Sequence, residues 1–109
     1  MRRDFRPFLA LVASMAAGVT FDTAAALAAD AAHGGDLARR WCAACHIVDA
    51  EQKQASADVP PFATVANRGD FSAGKIASFL LEPHPKMPNY PLSPNEAANI
   101  AAYIASLRK

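Results

Sequence analysis

The stretch WCAACH, Trp41 to His46, sets two thiols three positions apart and an imidazole directly behind the second. It holds both cysteines of a 109-residue chain. A CxxC pair can cycle between dithiol and disulfide, but such pairs normally open a helix that follows a strand, where the helix dipole lowers a thiol pKa. No strand-and-helix alternation surrounds this one. A structural zinc site needs four ligands, so Cys42 and Cys45 would have to converge with two of His33, His46 and His84. His46, adjacent to Cys45, is badly placed to join the same tetrahedron.

A third chemistry uses every residue of the motif, because CxxCH is the attachment signature of c-type haem. The two sulfurs form thioethers to the vinyl groups on one side of the porphyrin, and the following imidazole turns onto the iron. A pentapeptide can arise by chance, so on the motif alone the zinc and dithiol readings stay open.

The elements that must position these residues begin after a leader. Arg2, Arg3 and Arg6 precede the apolar block Phe8 to Val19, and small residues of the AAALAAD type follow. That order predicts a secretory signal peptide over residues 1–28 and a mature domain over 29–109. The block is short for a membrane span and Asp22 soon interrupts the region, so no stable insertion is expected after cleavage. Removing three of the eleven basic residues and two of the ten acidic ones leaves eight of each. A neutral domain without a basic stripe does not neutralise phosphates, which excludes a nucleic-acid partner. At about 80 residues its core is thin unless a prosthetic group adds to the interior.

Helical cues dominate the mature part, which predicts an all-α fold. A first helix is expected after His33, Gly34 and Gly35, running through DLARRWCAAC with Leu37, Trp41 and Cys45 on one face. A polar loop follows and ends at Pro60 and Pro61. A short turn over Phe62 to Ala66 and a helix over Ser72 to Leu81 come next, the latter with Ile76, Phe79 and Leu80 as its apolar face. Five prolines between Glu82 and Pro94 make a stiff loop. The last helix has Ser93 as N-cap, Pro94 in its first turn and Glu96 to complete a capping box. Its stripe of Ile100, Tyr103, Ile104 and Leu107 is expected to pack on the first helix.

Across this mature part the sequence resembles the class I cytochrome c family. The resemblance rests on Gly34, Cys42, Cys45, His46, Pro60, Met87, Pro88 and the closing NIAAYIASL, which occur in the family's order, and on PHPKMPNYPLSPNEAANIAAYIASL as a whole. It implies a small cytochrome c fold of three to four helices around one haem c, attached through Cys42 and Cys45. It further implies His46 and Met87 as iron ligands and the Pro60 carbonyl as hydrogen-bond acceptor for the far nitrogen of His46, with Pro61 as the alternative. Met87 is the only methionine after residue 28 and sits in a proline-braced loop, in keeping with a ligand rather than a gap-filling role. His84 is the rival ligand. Asn89 is a candidate donor to the Met87 sulfur, and Arg68 or Trp41 a candidate partner of a haem propionate. Where the family commonly carries an aromatic, four residues before the first cysteine, this chain has Ala38. Trp41 and Tyr103 are expected to compensate in the contact between the first and last helices.

The function so implied is single-electron transfer in the periplasm, without enzymatic turnover. Redox proteins would dock transiently near Cys42, Cys45 and the Met87 loop, with Lys86 at the rim. The alternatives are a haem subunit of a periplasmic dehydrogenase and a ligand-binding or peroxidase-type haem protein, the last of which needs an open iron position.

Overall fold

The computed structural model describes residues 28–56, 58–82 and 86–109. The expected signal peptide, but for Ala28, and the rival ligand His84 lie outside the described residues. Among the described residues there are four helices and no strand: α1 (Ala31–Trp41), α2 (Phe62–Ala66), α3 (Ala73–Leu81) and α4 (Pro94–Ser106). This is the small all-α fold the sequence predicts.

Helix α1 starts before the glycine pair rather than after it. Its N-cap is Asp30, whose carboxylate accepts from the His33 amide at 3.0 Å and whose own amide donates to Oδ1 of the buried Asn99 at 2.7 Å. Glycine inside a helix costs roughly 0.5–1 kcal/mol relative to alanine, so something must offset Gly34 and Gly35. The offset is the crossing with α4: a Cβ on Gly34 would stand 1.8 Å from the Asn99 carbonyl oxygen, and one on Gly35 3.0 Å from the Tyr103 ring. Neither glycine has a positive φ, so close approach and not backbone conformation requires them.

Leu37, Ala38, Ile100 and Ile104 fill the crossing and form one buried cluster with Phe62, Val48 and Cys42. Ala38 is fully buried. The close approach of the two backbones accommodates its methyl group. Trp41 packs at the edge of the core with its ring against Tyr90, centroids 5.2 Å apart. Tyr103 serves the helix contact, its ring beside Gly35. Its hydroxyl donates to the Val48 carbonyl at 2.6 Å, and the Arg39 guanidinium sits 5.7 Å from its ring centroid. Arg39 Nε also donates to Asp49 Oδ2 at 3.0 Å, which holds the Asp49 carboxyl below its ordinary range.

The remaining helices follow their local grammar. In α4 the Ser93 hydroxyl accepts from the Glu96 amide at 3.1 Å while the Glu96 carboxylate accepts from the Ser93 amide at 2.8 Å, a complete capping box with Pro94 in the first turn. Ser72 caps α3 in the same way, accepting from the Lys75 amide. Helix α3 contains no buried residue. Its apolar residues Ile76, Phe79 and Leu80 line a cavity, and Ile76 and Leu80 also pack against the edge of the α1–α4 core.

Two stability changes follow from the crossing. Gly34→Ala presses a methyl onto backbone that cannot rotate aside; a net loss of about 2 kcal/mol or more is expected from overpacking, against a helix-propensity gain of about 1 kcal/mol. Gly69→Ala, where the added methyl meets nothing within 4 Å, is the control. Denaturant unfolding reads both, and equal stability of the two variants would refute the close-crossing argument. Tyr103→Phe leaves the buried Val48 carbonyl without its donor and is expected to cost about 1–2 kcal/mol, read as a lower urea midpoint with an unchanged slope.

Candidate haem site

Helix α1 ends at Trp41, one residue before the motif, rather than running through Cys45. The Cys42 amide still bonds to the Ala38 carbonyl at 2.8 Å, and the chain then turns, the amides of Cys45 and His46 both donating to the Cys42 carbonyl at 3.1 and 2.9 Å. This turn places Cys42 and Cys45 on the wall of one cavity and brings the His46 ring into the same wall.

The loop after the motif folds back to hold it. The Gln52 side-chain amide donates to the carbonyls of Ala43, His46 and Gln54 at 2.8, 2.7 and 2.9 Å, while its oxygen accepts from the Val48 amide at 3.0 Å. The Ser56 amide donates to the Cys45 carbonyl at 3.1 Å, and the Phe62 amide to Ile47 at 2.9 Å. These bonds bring Pro60 beneath the histidine: His46 Nδ1 lies 2.6 Å from the Pro60 carbonyl oxygen. A carbonyl only accepts, so Nδ1 carries the proton, and in the neutral ring Nε2 keeps its lone pair. The Phe62 ring, 5.0 Å away centroid to centroid, braces the imidazole from the side. Phe62 is buried, so the brace belongs to the core.

The cavity is about 600 Å³, within the roughly 300–1,000 Å³ of cofactor and ligand sites. Trp41, Val59, Phe62, Val65, Ile76 and Leu80 give it apolar walls. Met87, in the loop ahead of α4, lines it as well, and so do Arg68 and Lys86, both exposed. Asn89 is exposed.

These features discriminate among the three chemistries of the motif. Cys42 and Cys45 are not joined in a disulfide, and burial pushes the Cys42 thiol up to about 11, opposite to the lowered pKa of a redox-active dithiol. The pair also sits at the C-terminal end of α1, where the helix dipole disfavours a thiolate. Among the described residues no three His, Cys, Asp or Glu side chains gather as metal ligands, so the four-fold set a zinc site needs does not assemble there. A haem fits: paired thiols, one imidazole with its lone pair available and one thioether surround a single large apolar cavity.

Sequence reasoning did not single out Gln52, Tyr90 or Asn99. Gln52 is an ordinary residue of a polar loop, and its four hydrogen bonds appear only once that loop folds back on the motif. Asn99 interrupts the apolar run of α4 from Ala97 to Ala105, and that interruption was a readable sign of a buried polar contact.

Residues 29–104 match the family model for cytochrome c oxidase, cbb3-type, subunit III. Cytochrome c-552 of Bradyrhizobium diazoefficiens is 64% identical over 90 residues, which cover 83% of this chain and 86% of that protein. No solved structure matches the chain. Together with the cysteine pair on the cavity wall, these similarities establish that the chain belongs to the c-type cytochromes, as a small monohaem member of class I whose haem is attached covalently through Cys42 and Cys45.

Proposed function

We propose that this protein carries single electrons between redox proteins of the periplasm, with His46 and Met87 as the two axial ligands of the haem iron. The observation that carries the reading is the bond from His46 Nδ1 to the Pro60 carbonyl, made on the wall of a cavity that Met87 also lines. The bond fixes the tautomer and aims the free nitrogen away from the backbone; the hydrogen bond that Nδ1 donates also makes the imidazole a stronger donor to a metal. The haem supplies one iron that alternates between ferrous and ferric and so takes up or gives one electron. Everything else asked of the chain is to stay still. The apolar walls keep water away and disfavour extra charge, and a thioether ligand favours the ferrous state; both raise the potential.

A permanent Met87 ligand leaves no coordination position for a substrate, which supports a carrier over a peroxidase or gas sensor. The leader over residues 1–28 supports export, and no helix among the described residues is long and apolar enough to cross a membrane. Cys45, Lys86 and Pro88 are exposed around the cavity, where a redox partner can approach the haem edge within a small transient interface. A second reading, a haem subunit of a larger periplasmic redox complex, draws support from the family model, which describes an oxidase subunit. Co-purification with a stable partner would favour it over a free shuttle.

Replacing the thioether tests the ligand assignment. Met87→Ala is expected to turn the oxidised protein from low to high spin, let the reduced protein bind carbon monoxide, and lower the midpoint potential by roughly a tenth of a volt or more, a modest share of the ~0.8 V that axial ligation spans. Unchanged spectra and potential would remove Met87 from the iron. Carbon monoxide binding by the unaltered protein at a comparable affinity would favour the ligand-binding alternative.

A further inference from the structure

Two rings on the cavity wall come from distant parts of the sequence. Trp41 is the last residue of α1 and directly precedes Cys42, and Tyr90 lies three residues beyond Met87. Their centroids stand 5.2 Å apart with planes inclined at 44°, within the range in which offset aromatic pairs attract. Both rings are half-buried, and Trp41 packs against the core that α1 shares with α4. The contact therefore joins a rigid element to a loop.

We propose that the Trp41–Tyr90 contact latches the Met87 loop to the haem-attachment segment and holds the Met87 thioether in place against competing ligands. The inference rests on Met87 being an iron ligand. The chain between Met87 and Tyr90 is short and includes Pro88, whose ring fixes φ, so displacement of Tyr90 carries over to Met87 with little slack. Beyond Tyr90 the chain is already held. The Leu92 amide donates to the Tyr90 carbonyl at 2.8 Å, Leu92 packs on the core, and Ser93 enters the capping box of α4. Tyr90 is thus where anchored chain passes into the ligand loop, and its ring crosses to the segment that carries the thioether-forming cysteines. Trp41 and Tyr90 act as positioning residues, since neither binds the iron.

The test is an imidazole titration of the oxidised, haem-bearing protein, followed by loss of the far-red sulfur-to-iron absorption band. An aromatic pair of this geometry is worth enough that Tyr90→Leu, which keeps apolar bulk without a ring, should lose the band at about fivefold to tenfold less imidazole, while Tyr90→Phe stays within about twofold of the unaltered protein. Trp41→Leu should match Tyr90→Leu, and the double variant should add little. If the leucine variants melt at lower temperature yet keep the original imidazole midpoint, the rings serve packing alone and the latch is refuted. Equal weakening by Tyr90→Leu and Tyr90→Phe would refute it too, by assigning the effect to the hydroxyl. Should the unaltered protein show no sulfur-to-iron band, the ligand assignment itself fails and the latch falls with it, a result distinct from a band that is present and insensitive to Tyr90.

Discussion

A domain of about 80 residues buries too little of its own surface to be comfortably stable, yet residues 29–109 build their interior around a cavity of about 600 Å³. That constraint organises the molecule. Half of the interior is protein, the crossing of α1 and α4 at Gly34, Ala38, Asn99 and Ile100, where small residues let two backbones nearly touch. The other half is the apolar wall of the cavity, to which α3 contributes Ile76, Phe79 and Leu80 although none of its residues is buried. In a c-type cytochrome the haem supplies the surface these side chains lack. Cofactor and core are therefore the same object.

The two halves impose opposite demands, and the sequence meets them with different means. The crossing is fixed by shape: glycine where a methyl would collide, and a tyrosine hydroxyl that reaches Val48 across the chain. The site is fixed by hydrogen bonds from one loop. Gln52 gathers the carbonyls of Ala43 and His46, and the Pro60 carbonyl accepts a hydrogen bond from His46 Nδ1, so the imidazole is oriented by backbone that its own neighbours hold. An electron carrier gains from this stiffness, since a site that changes little between oxidation states needs little rearrangement for each transfer.

The attachment motif, the methionine loop and the capped last helix were legible in the sequence because each is local. CxxCH declares its chemistry within five residues, and Ser93, Pro94 and Glu96 declare a helix start within four. The start of α1 was misplaced because glycine is a helix breaker by local propensity, and the reason for keeping it, the Asn99 carbonyl, lies 65 positions away in sequence. The ring partner of Trp41 was out of reach for the same reason, since Tyr90 lies 49 positions away. Spacing put Trp41 on the face of Leu37, and it does pack on that core, while its ring also meets Tyr90.

The claim that cofactor and core are one object is tested most directly by making residues 29–109 with and without attached haem and comparing their thermal unfolding by circular dichroism. The account predicts one cooperative transition for the haem-bearing protein and a weakly helical chain without a cooperative transition for the other. A haem-free chain that unfolds cooperatively at the same midpoint would show that α1 to α4 fold on protein contacts alone, and would contradict it.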